Sequence, residues 1–186
     1  MLSLSEFLES ADRSCISPIN IKDIRHHYTN AFTNLEHFIP HVQPGLKRAL
    51  SESVRQPRNF SIINFNYTHV FDHGIDVLGR KGVAINSKTP PNCDTIGEVH
   101  HIHGEFSHEM VMGVDGDDQI ANQDFARNAG IRQRIIKPEV NEALNHGLVM
   151  DCKKTISKSQ IIVVFGMSIG KTDRTWWKSV GEWLKR

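Results

Sequence analysis

The stretch Ile161-Ile162-Val163-Val164-Phe165, followed by Gly166-Met167-Ser168-Ile169-Gly170, decides the expected fold. Five apolar, mostly β-branched residues without alternation are typical of a strand in a parallel sheet that is covered on both faces. A glycine directly after such a strand lets the backbone approach a ligand closely. We therefore expect a buried strand that ends in a turn facing a ligand.

Upstream of this stretch, the first third of the chain has helical periodicity. Apolar residues from Ile21 to Phe38 recur at intervals of three and four, and Leu46–Val54 predicts a second, shorter helix. After Pro57 the pattern changes to a short β-rich run, Phe60–Phe65. A helix is expected over Val70–Leu78, with Thr68 as its N-cap.

The remainder alternates between extended and helical patterns. Residues 86–95 form a loop by composition, Ile96–His103 reads as a strand, and Met110–Val114 is a candidate partner strand. Helical spacing follows over Val140–Ile156 and again over Thr172–Lys185.

Strands that alternate with helices predict an α/β fold with a mainly parallel sheet. We divide the chain into a helical N-terminal segment, residues 1–58, packed on an α/β domain, residues 59–186. One compact unit is the expectation for a chain of 186 residues.

Composition excludes several classes of protein. With 39% hydrophobic residues and a net charge of +1, the chain is not disordered. It has no run approaching the roughly 18 apolar residues that a membrane helix needs. The start, MLSLSEFLES, lacks the basic residues of a secretory signal, and Cys15, Cys93 and Cys152 are too few and too scattered for a disulfide framework. We expect a cytoplasmic protein without membrane partners.

The charge is unevenly distributed. Residues 61–125 carry 3 basic and 10 acidic residues, whereas residues 126–186 carry 12 basic and 5 acidic ones. The two segments could attract each other within the fold, or the basic one could hold a nucleotide phosphate or another polyanion. Charge alone does not indicate nucleic acid as a partner.

Three expected strands end in residues with useful chemistry. Asn66 follows the first strand, His103 ends the second, and the turn Gly166–Gly170 follows the third. The carboxyl ends of parallel strands meet at one edge of a sheet, where ligands bind in α/β folds. Histidine suits general base catalysis near neutral pH, and an asparagine amide can orient water or a sugar hydroxyl. Both could instead have purely structural roles, in a turn or in the core.

A metal site is an alternative use of the same strand end. His101 and His103 would share one face of a strand, as a pair of metal ligands requires. Further ligands could come from Asp115, Asp117 or His69, but no spacing confirms them, so a metal-dependent hydrolase is a secondary hypothesis.

The turn after the third strand has four interpretations. Its G-x-S-x-G spacing is that of a nucleophile elbow, but the last histidine, His146, lies upstream of Ser168 rather than downstream. Gly170-Lys171-Thr172 resembles the end of a P-loop, with three residues between the glycines instead of four. A tight turn with Asp173 capping the last helix is the structural alternative. We favour a turn that approaches a nucleotide phosphate.

Taken in order, these motifs resemble a known family. Phe65-Asn66-Tyr67-Thr68, Ile102-His103-Gly104 and the stretch from Phe165 to Asp173, with Trp176 and Trp177 after it, resemble the bacteriophage abortive-infection AbiH family. That family is itself similar to the sirtuin-like NAD-binding proteins of bacterial antiviral defence. The resemblance covers roughly residues 60–180.

The resemblance implies a Rossmann-like sheet of sirtuin type and NAD as the ligand. It implies that His103 is the base acting on the ribose and that Asn66 contacts the ribose or positions water. The NAD-binding residues that it implies are Asn66, Tyr67, Thr68, Gly104, Gly166, Ser168 and Asp173. The reaction would be hydrolysis of the nicotinamide N-glycosidic bond, which depletes NAD in an infected cell.

One departure from the family pattern supports a rival interpretation. Members begin with a strand and a glycine-rich turn that holds the pyrophosphate, whereas the first glycine of this sequence is Gly45. Another protein chain or a second copy could complete the sheet. The rival is therefore a non-catalytic, degenerate module that binds a partner chain.

Overall fold

A computed structural model describes residues 3–16, 21–35, 43–53, 56–79, 84–85, 92–106 and 108–186. The chain divides into two compact units. The first consists of residues 1–62 and 68–99, and the second of residues 63–67 and 100–186. The boundary at residue 58 that the sequence suggested stays a prediction.

The first unit is built from helices packed around a small apolar core. Its helices are α1 (Leu4–Ile16), α2 (Ile21–Thr33), α3 (Pro44–Ser53) and α4 (Val70–Leu78). Helices α2 and α4 approach closely because Gly74 has no side chain, and a Cβ there would lie 2.0 Å from the Tyr28 ring. The core consists of Ile75, Leu78, Ile85 and Ile96. The helices expected in this part of the sequence are confirmed, while Phe38, Val54 and residues 86–91 lie outside the described part of the chain.

The sheet is a parallel pair of strands, β1 (Asn59–Asn64) and β2 (Thr95–His101). The Thr95 amide donates to the Arg58 carbonyl at one end, and the Ile102 amide donates to the Asn64 carbonyl at the other. Both strands therefore run in the same direction. The α/β expectation holds in this coarse form, as a mixed, mainly helical protein with a small parallel sheet. The described residues contain no larger sheet of Rossmann type.

The second unit packs short helices around a buried cluster. After the strands come α5 (Gln123–Arg127), α6 (Ala129–Ile135), α7 (Lys137–Leu144), α8 (His146–Lys158) and α9 (Arg174–Trp183). The cluster consists of Ile102, Val149, Cys152, Ile156 and Trp176. Ile63 and Phe65 from the end of β1 pack against the same cluster, so the strand ends and the last two helices share one core.

The prediction of a buried strand over Ile161–Phe165 is wrong. This segment has no strand pairing in the structure, and Val163, Val164 and Phe165 are 55%, 48% and 86% exposed. Only Ile162 packs against the core cluster. The side chains have strong β preference, but a strand also needs a neighbour to receive its backbone hydrogen bonds. The described part of the chain supplies none.

Three smaller expectations also fail. Met110–Val114 is not a strand, because Val114 forms only an isolated bridge with Ile136. The N-cap of α4 is His69, without a side-chain capping bond, so Thr68 does not cap this helix. The helical spacing over Val140–Ile156 is interrupted at Asn145, where α7 ends and α8 begins.

Two expectations from composition can be compared with the structure. Among the described helices, none is both long enough and apolar enough to cross a membrane. Cys15, Cys93 and Cys152 are all free thiols.

Candidate functional site

The backbone of His103 is held by a glycine turn at the end of β2. Gly104 has φ +73°, and a Cβ there would lie 2.2 Å from the Glu109 carbonyl oxygen, so only glycine fits this turn. The chain then doubles back, and the Val111 amide donates to the His103 carbonyl at 2.8 Å. Gly104 is thus required by the backbone, and its role in the structure is to fix the residue before it.

The His103 imidazole belongs to a buried cluster of three ionisable side chains. Its Nε2 lies 2.9 Å from Oδ1 of Asp173, and Nζ of Lys137 lies 2.6 Å from the same oxygen. Lys137 Nζ is also 3.4 Å from His103 Nε2. Only 5% of the His103 side chain, 8% of Lys137 and 18% of Asp173 is exposed. We call these three residues the His–Asp–Lys cluster.

The ionisation state of Asp173 determines which imidazole nitrogen of His103 carries the proton. Burial raises the pKa of Asp173, but hydrogen bonds from His103 and Lys137, together with their charges, outweigh burial and lower the pKa to about 2. The carboxylate is therefore ionised at neutral pH and can only accept hydrogen bonds. It follows that Nε2 of His103 carries hydrogen, and that a neutral His103 has its lone pair on Nδ1.

Nδ1 of His103 is an unsatisfied atom in the interior. It is buried and has no hydrogen-bond partner among the described residues. Leaving a buried acceptor unpaired costs about 1–3 kcal/mol, so such atoms are rare in native proteins and often occur where a ligand binds. His103 therefore presents a proton acceptor that the protein itself does not use.

A second aspartate leaves Asp173 free to join the cluster. Asp173 stands at the N-cap of α9, yet its side chain makes no capping bond, so the alternative in which it caps the last helix is wrong. Asp115 caps instead: its Oδ2 accepts from the Thr175 amide at 2.9 Å and from the Thr175 hydroxyl at 3.1 Å.

Aromatic rings surround the imidazole. The Phe65 ring lies 5.5 Å from that of His103 and 5.9 Å from that of Trp176, both edge-on. Tyr67 lies 6.4 Å from His103, and its hydroxyl donates to the Val111 carbonyl. Burial, and secondly the negative charge of Asp173, raise the pKa of Tyr67. The Phe65 and Tyr67 rings pack beside the imidazole and fix its orientation.

A small cavity of about 80 Å³ borders the cluster. Asn141 of α7 lies beside it, is 4% exposed, and has a buried Oδ1 without a partner in the described part of the chain. Two unsatisfied side chains, His103 and Asn141, thus line the same space. The other lining residues are Asp115, Lys137, Pro138, Glu142, Val149, Lys153, Thr175 and Trp176. A larger hollow of about 520 Å³ is lined by residues of α8 and α9 and by Arg186, but none of its lining residues belongs to the His–Asp–Lys cluster.

The other expected site residues lie in different surroundings. Asn66 is exposed, and its amide groups donate to Oδ1 of Asn64 at 3.0 and 3.2 Å. Gly166 has φ +64° with open space around it, and Ser168 is exposed. Thr68 belongs to the first unit, whereas the cluster belongs to the second. Of the expected residues, the structure brings His103, Asp173 and Tyr67 together.

The two histidines proposed as metal ligands, His101 and His103, do not point toward a common site. Nδ1 of His101 lies 2.9 Å from the Asn66 carbonyl oxygen, and its Nε2 lies 3.9 Å from Glu105. His103 is bound to Asp173 instead. Where side chains are described, no group of three or more His, Cys, Asp or Glu residues is arranged to hold a metal ion.

Sequence reasoning missed Lys137 and Asn141. Lys137 begins α7, next to Pro138, and Asn141 follows one turn later. Nothing in the local pattern marks them, because a lysine before a proline and an asparagine in a helix are ordinary surface features. The excess of basic residues in the last third was the one signal that concerned Lys137.

Comparison with known proteins gives one match. The family described as Bacteriophage abortive infection AbiH matches residues 8–186. Neither the comparison with curated proteins nor that with solved structures gives a match.

Proposed function

The chain belongs to the bacteriophage abortive-infection AbiH family, and on that premise we propose that it binds NAD and hydrolyses the nicotinamide N-glycosidic bond. Family membership connects the chain with abortive infection as a defence against phage. The observation that supports the proposed reaction is Nδ1 of His103, which has no hydrogen-bond partner among the described residues. The hydrogen bond from Nε2 to Asp173 fixes the tautomer in which Nδ1 carries the lone pair.

His103 acts as the general base in this proposal. Water attacks C1′ of the nicotinamide ribose, and its proton passes to Nδ1 of His103. The N-glycosidic bond breaks with its electron pair going to the pyridinium nitrogen, so neutral nicotinamide and ADP-ribose leave. The Asp173 carboxylate stabilises the imidazolium through Nε2, as in other His–Asp pairs. General base catalysis of this kind contributes about 10²- to 10⁴-fold to a rate.

Asn66 and the turn Gly166–Gly170 are the proposed contacts for the rest of the nucleotide. The NH₂ group of Asn66 is held by Asn64, which leaves its Oδ1 to accept from a ribose hydroxyl or water. Gly166 lets a phosphate approach the backbone, and Ser168 offers an exposed hydroxyl. The cavity of about 80 Å³ is much smaller than a dinucleotide. Only the reacting end would enter it, and the cavity must widen to admit it.

A non-catalytic module that binds a partner chain is the second candidate. The exposed apolar segment Ile161–Phe165 favours it, because this surface lacks a covering element in the described residues. Turnover of NAD separates the two candidates, since a degenerate module consumes none.

The test is NAD consumption by the purified chain, with chromatography to identify nicotinamide. We expect release of nicotinamide by the native chain and a loss of about 10²-fold or more in His103→Ala. His27→Ala is the matched control, because His27 is an exposed histidine of the first unit, and it should retain full activity. Equal rates in His103→Ala and His27→Ala would refute the role of His103. Absence of turnover in the folded native chain would refute the hydrolase and favour the module.

A further inference from the structure

The small cavity beside the His–Asp–Lys cluster brings two unsatisfied hydrogen-bond acceptors together. Nδ1 of His103 and Oδ1 of Asn141 are both buried, and neither has a partner among the residues that the structure describes. Both side chains line the same cavity of about 80 Å³. Because a buried polar atom without a partner is costly and rare, two of them beside one cavity indicate a donor that binds inside it.

Helix α7 holds Asn141 at this cavity. Lys137, at the start of the same helix, donates to Asp173 at 2.6 Å and so anchors the first turn of α7 to the cluster. Residues four positions apart lie on the same face of a helix. Asn141 therefore faces the same side as Lys137, and it is only 4% exposed.

Water is the donor that fits two acceptors in so small a space. Its two hydrogens can each go to one acceptor, and its lone pairs then remain for a third group. A cavity of about 80 Å³ has room for water, since one molecule needs only about 10–15 Å³ of such space. Buried waters typically bond to polar groups that the protein leaves unsatisfied.

We propose that His103 and Asn141 bind one water between them, and that this water is the nucleophile of the hydrolysis under the proposed function, on which this role rests. The water donates one hydrogen to Nδ1 of His103 and the other to Oδ1 of Asn141. As its oxygen bonds to C1′ of the ribose, the first proton passes to Nδ1, and the electron pair of the N-glycosidic bond leaves with nicotinamide. Asn141 contacts the reacting water and aims its free lone pair, which makes it a further catalytic residue.

Asn66 is less suited to hold this water. It is exposed, its NH₂ group donates to Oδ1 of Asn64 at 3.2 Å, and it does not line the cavity. Its proposed contact is therefore a ribose hydroxyl, while Asn141 holds the nucleophile.

Crystal structures test the water site without any turnover. In the native chain we expect a water within about 3 Å of both Nδ1 of His103 and Oδ1 of Asn141. Asn141→Leu keeps the branched shape of the side chain but removes the acceptor, so this water should be lost. Asn141→Asp keeps an acceptor oxygen and should retain it.

Methanol separates a catalytic role of Asn141 from a structural one. Methanol has a single O–H hydrogen, which Nδ1 of His103 accepts, so formation of O-methyl ADP-ribose does not need the second acceptor. In Asn141→Leu we expect kcat for hydrolysis to fall by about 10- to 100-fold, with little change in KM. In dilute methanol, the ratio of methanolysis to hydrolysis should rise by about tenfold or more. A structural defect would lower both reactions together.

Asn145→Leu is the matched control. Asn145 lies at the end of the same helix, its side chain makes no capping bond to α8, and it does not line the cavity. This variant should keep the native rate of hydrolysis and the native product ratio.

Three results would overturn the proposal. They are native crystals without a water bonded to both atoms, equal losses of hydrolysis and methanolysis in Asn141→Leu, and the same change of product ratio in Asn145→Leu. Failure of the proposed function gives a different result. A native chain that holds the water in crystals but does not consume NAD would refute the hydrolase and support the water site.

Discussion

Removing the charge of Asp173 tests the His–Asp–Lys cluster most directly. The pKa of this carboxyl falls from its ordinary 3.8 to about 2. At about 1.4 kcal/mol for each pKa unit, ionised Asp173 stabilises the folded chain by about 2–3 kcal/mol. Because the Asp173 side chain is only 18% exposed, solvent screens little of this stabilisation. Asp173→Asn keeps the shape and one acceptor oxygen but loses that stabilisation.

The sign of the pH dependence follows from the lowered pKa. A carboxyl whose folded-state pKa is depressed contributes fully above its unfolded pKa and loses the contribution as pH falls through the folded value. The destabilisation caused by Asp173→Asn should therefore be constant from pH 7 down to about pH 5. It should shrink between about pH 4 and pH 2.

Intrinsic fluorescence is a suitable probe of this effect. All three tryptophans, at 176, 177 and 183, lie in α9 of the second unit, so urea unfolding followed by fluorescence reports on the unit that holds the cluster. Asp118→Asn is the matched control, since Asp118 forms an exposed ion pair with Arg174 and should contribute less than about 1 kcal/mol. Equal effects of the two substitutions at pH 7, or an effect of Asp173→Asn that does not change between pH 5 and pH 3, would refute the reasoning.

Two further predictions concern stability. Gly104→Ala should lower the free energy of unfolding by more than about 2 kcal/mol, because positive φ and the close Glu109 carbonyl both oppose a Cβ. A Cβ at Gly147 in α8 would meet no atom within 4 Å, so Gly147→Ala should raise the free energy of unfolding by up to about 1 kcal/mol. Equal melting temperatures of the two variants would contradict both expectations. In the first unit, Asp94 pairs with Arg58 at 2.6 Å with little exposure, and Asp94→Ala should cost about 3–5 kcal/mol in urea unfolding followed by circular dichroism. Glu52→Ala, which breaks the exposed pair with Arg48, should cost less than about 0.5 kcal/mol. Equal losses of stability in Asp94→Ala and Glu52→Ala would show that burial does not set the strength of these ion pairs.

The spacing of apolar residues along the sequence predicted the individual helices and the first strand well. Helix α4 has the bounds that apolar spacing indicated, Val70–Leu78, and β1 ends one residue before the predicted strand. These elements depend on side chains a few positions apart, which a single sequence displays. Ile161–Phe165 has stronger β preference than either strand and still forms none. Whether a segment becomes a strand depends on a neighbour that is distant in sequence or on another molecule.

The candidate site was predictable only in part, for the same reason. His103 was singled out because a glycine follows it at a strand end, and the structure gives that glycine an essential turn. Lys137 had no comparable signal, since it lies 34 positions from His103 and 36 from Asp173 along the chain. Contacts between residues so far apart along the chain leave no pattern in the spacing of residues in the sequence.

The role of Asp173 depends on which of two aspartates caps α9. Both are short acids suited to an N-cap, and Asp173 stands at that position in the sequence. If it capped the helix, its charge would be bound by backbone amides, and His103 would lose the acceptor that sets its tautomer. Asp115 reaches Thr175 from 60 positions away and caps the helix instead. This exchange turns Asp173 toward His103 and Lys137, and it leaves Nδ1 of His103 as the free proton acceptor on which the proposed chemistry depends.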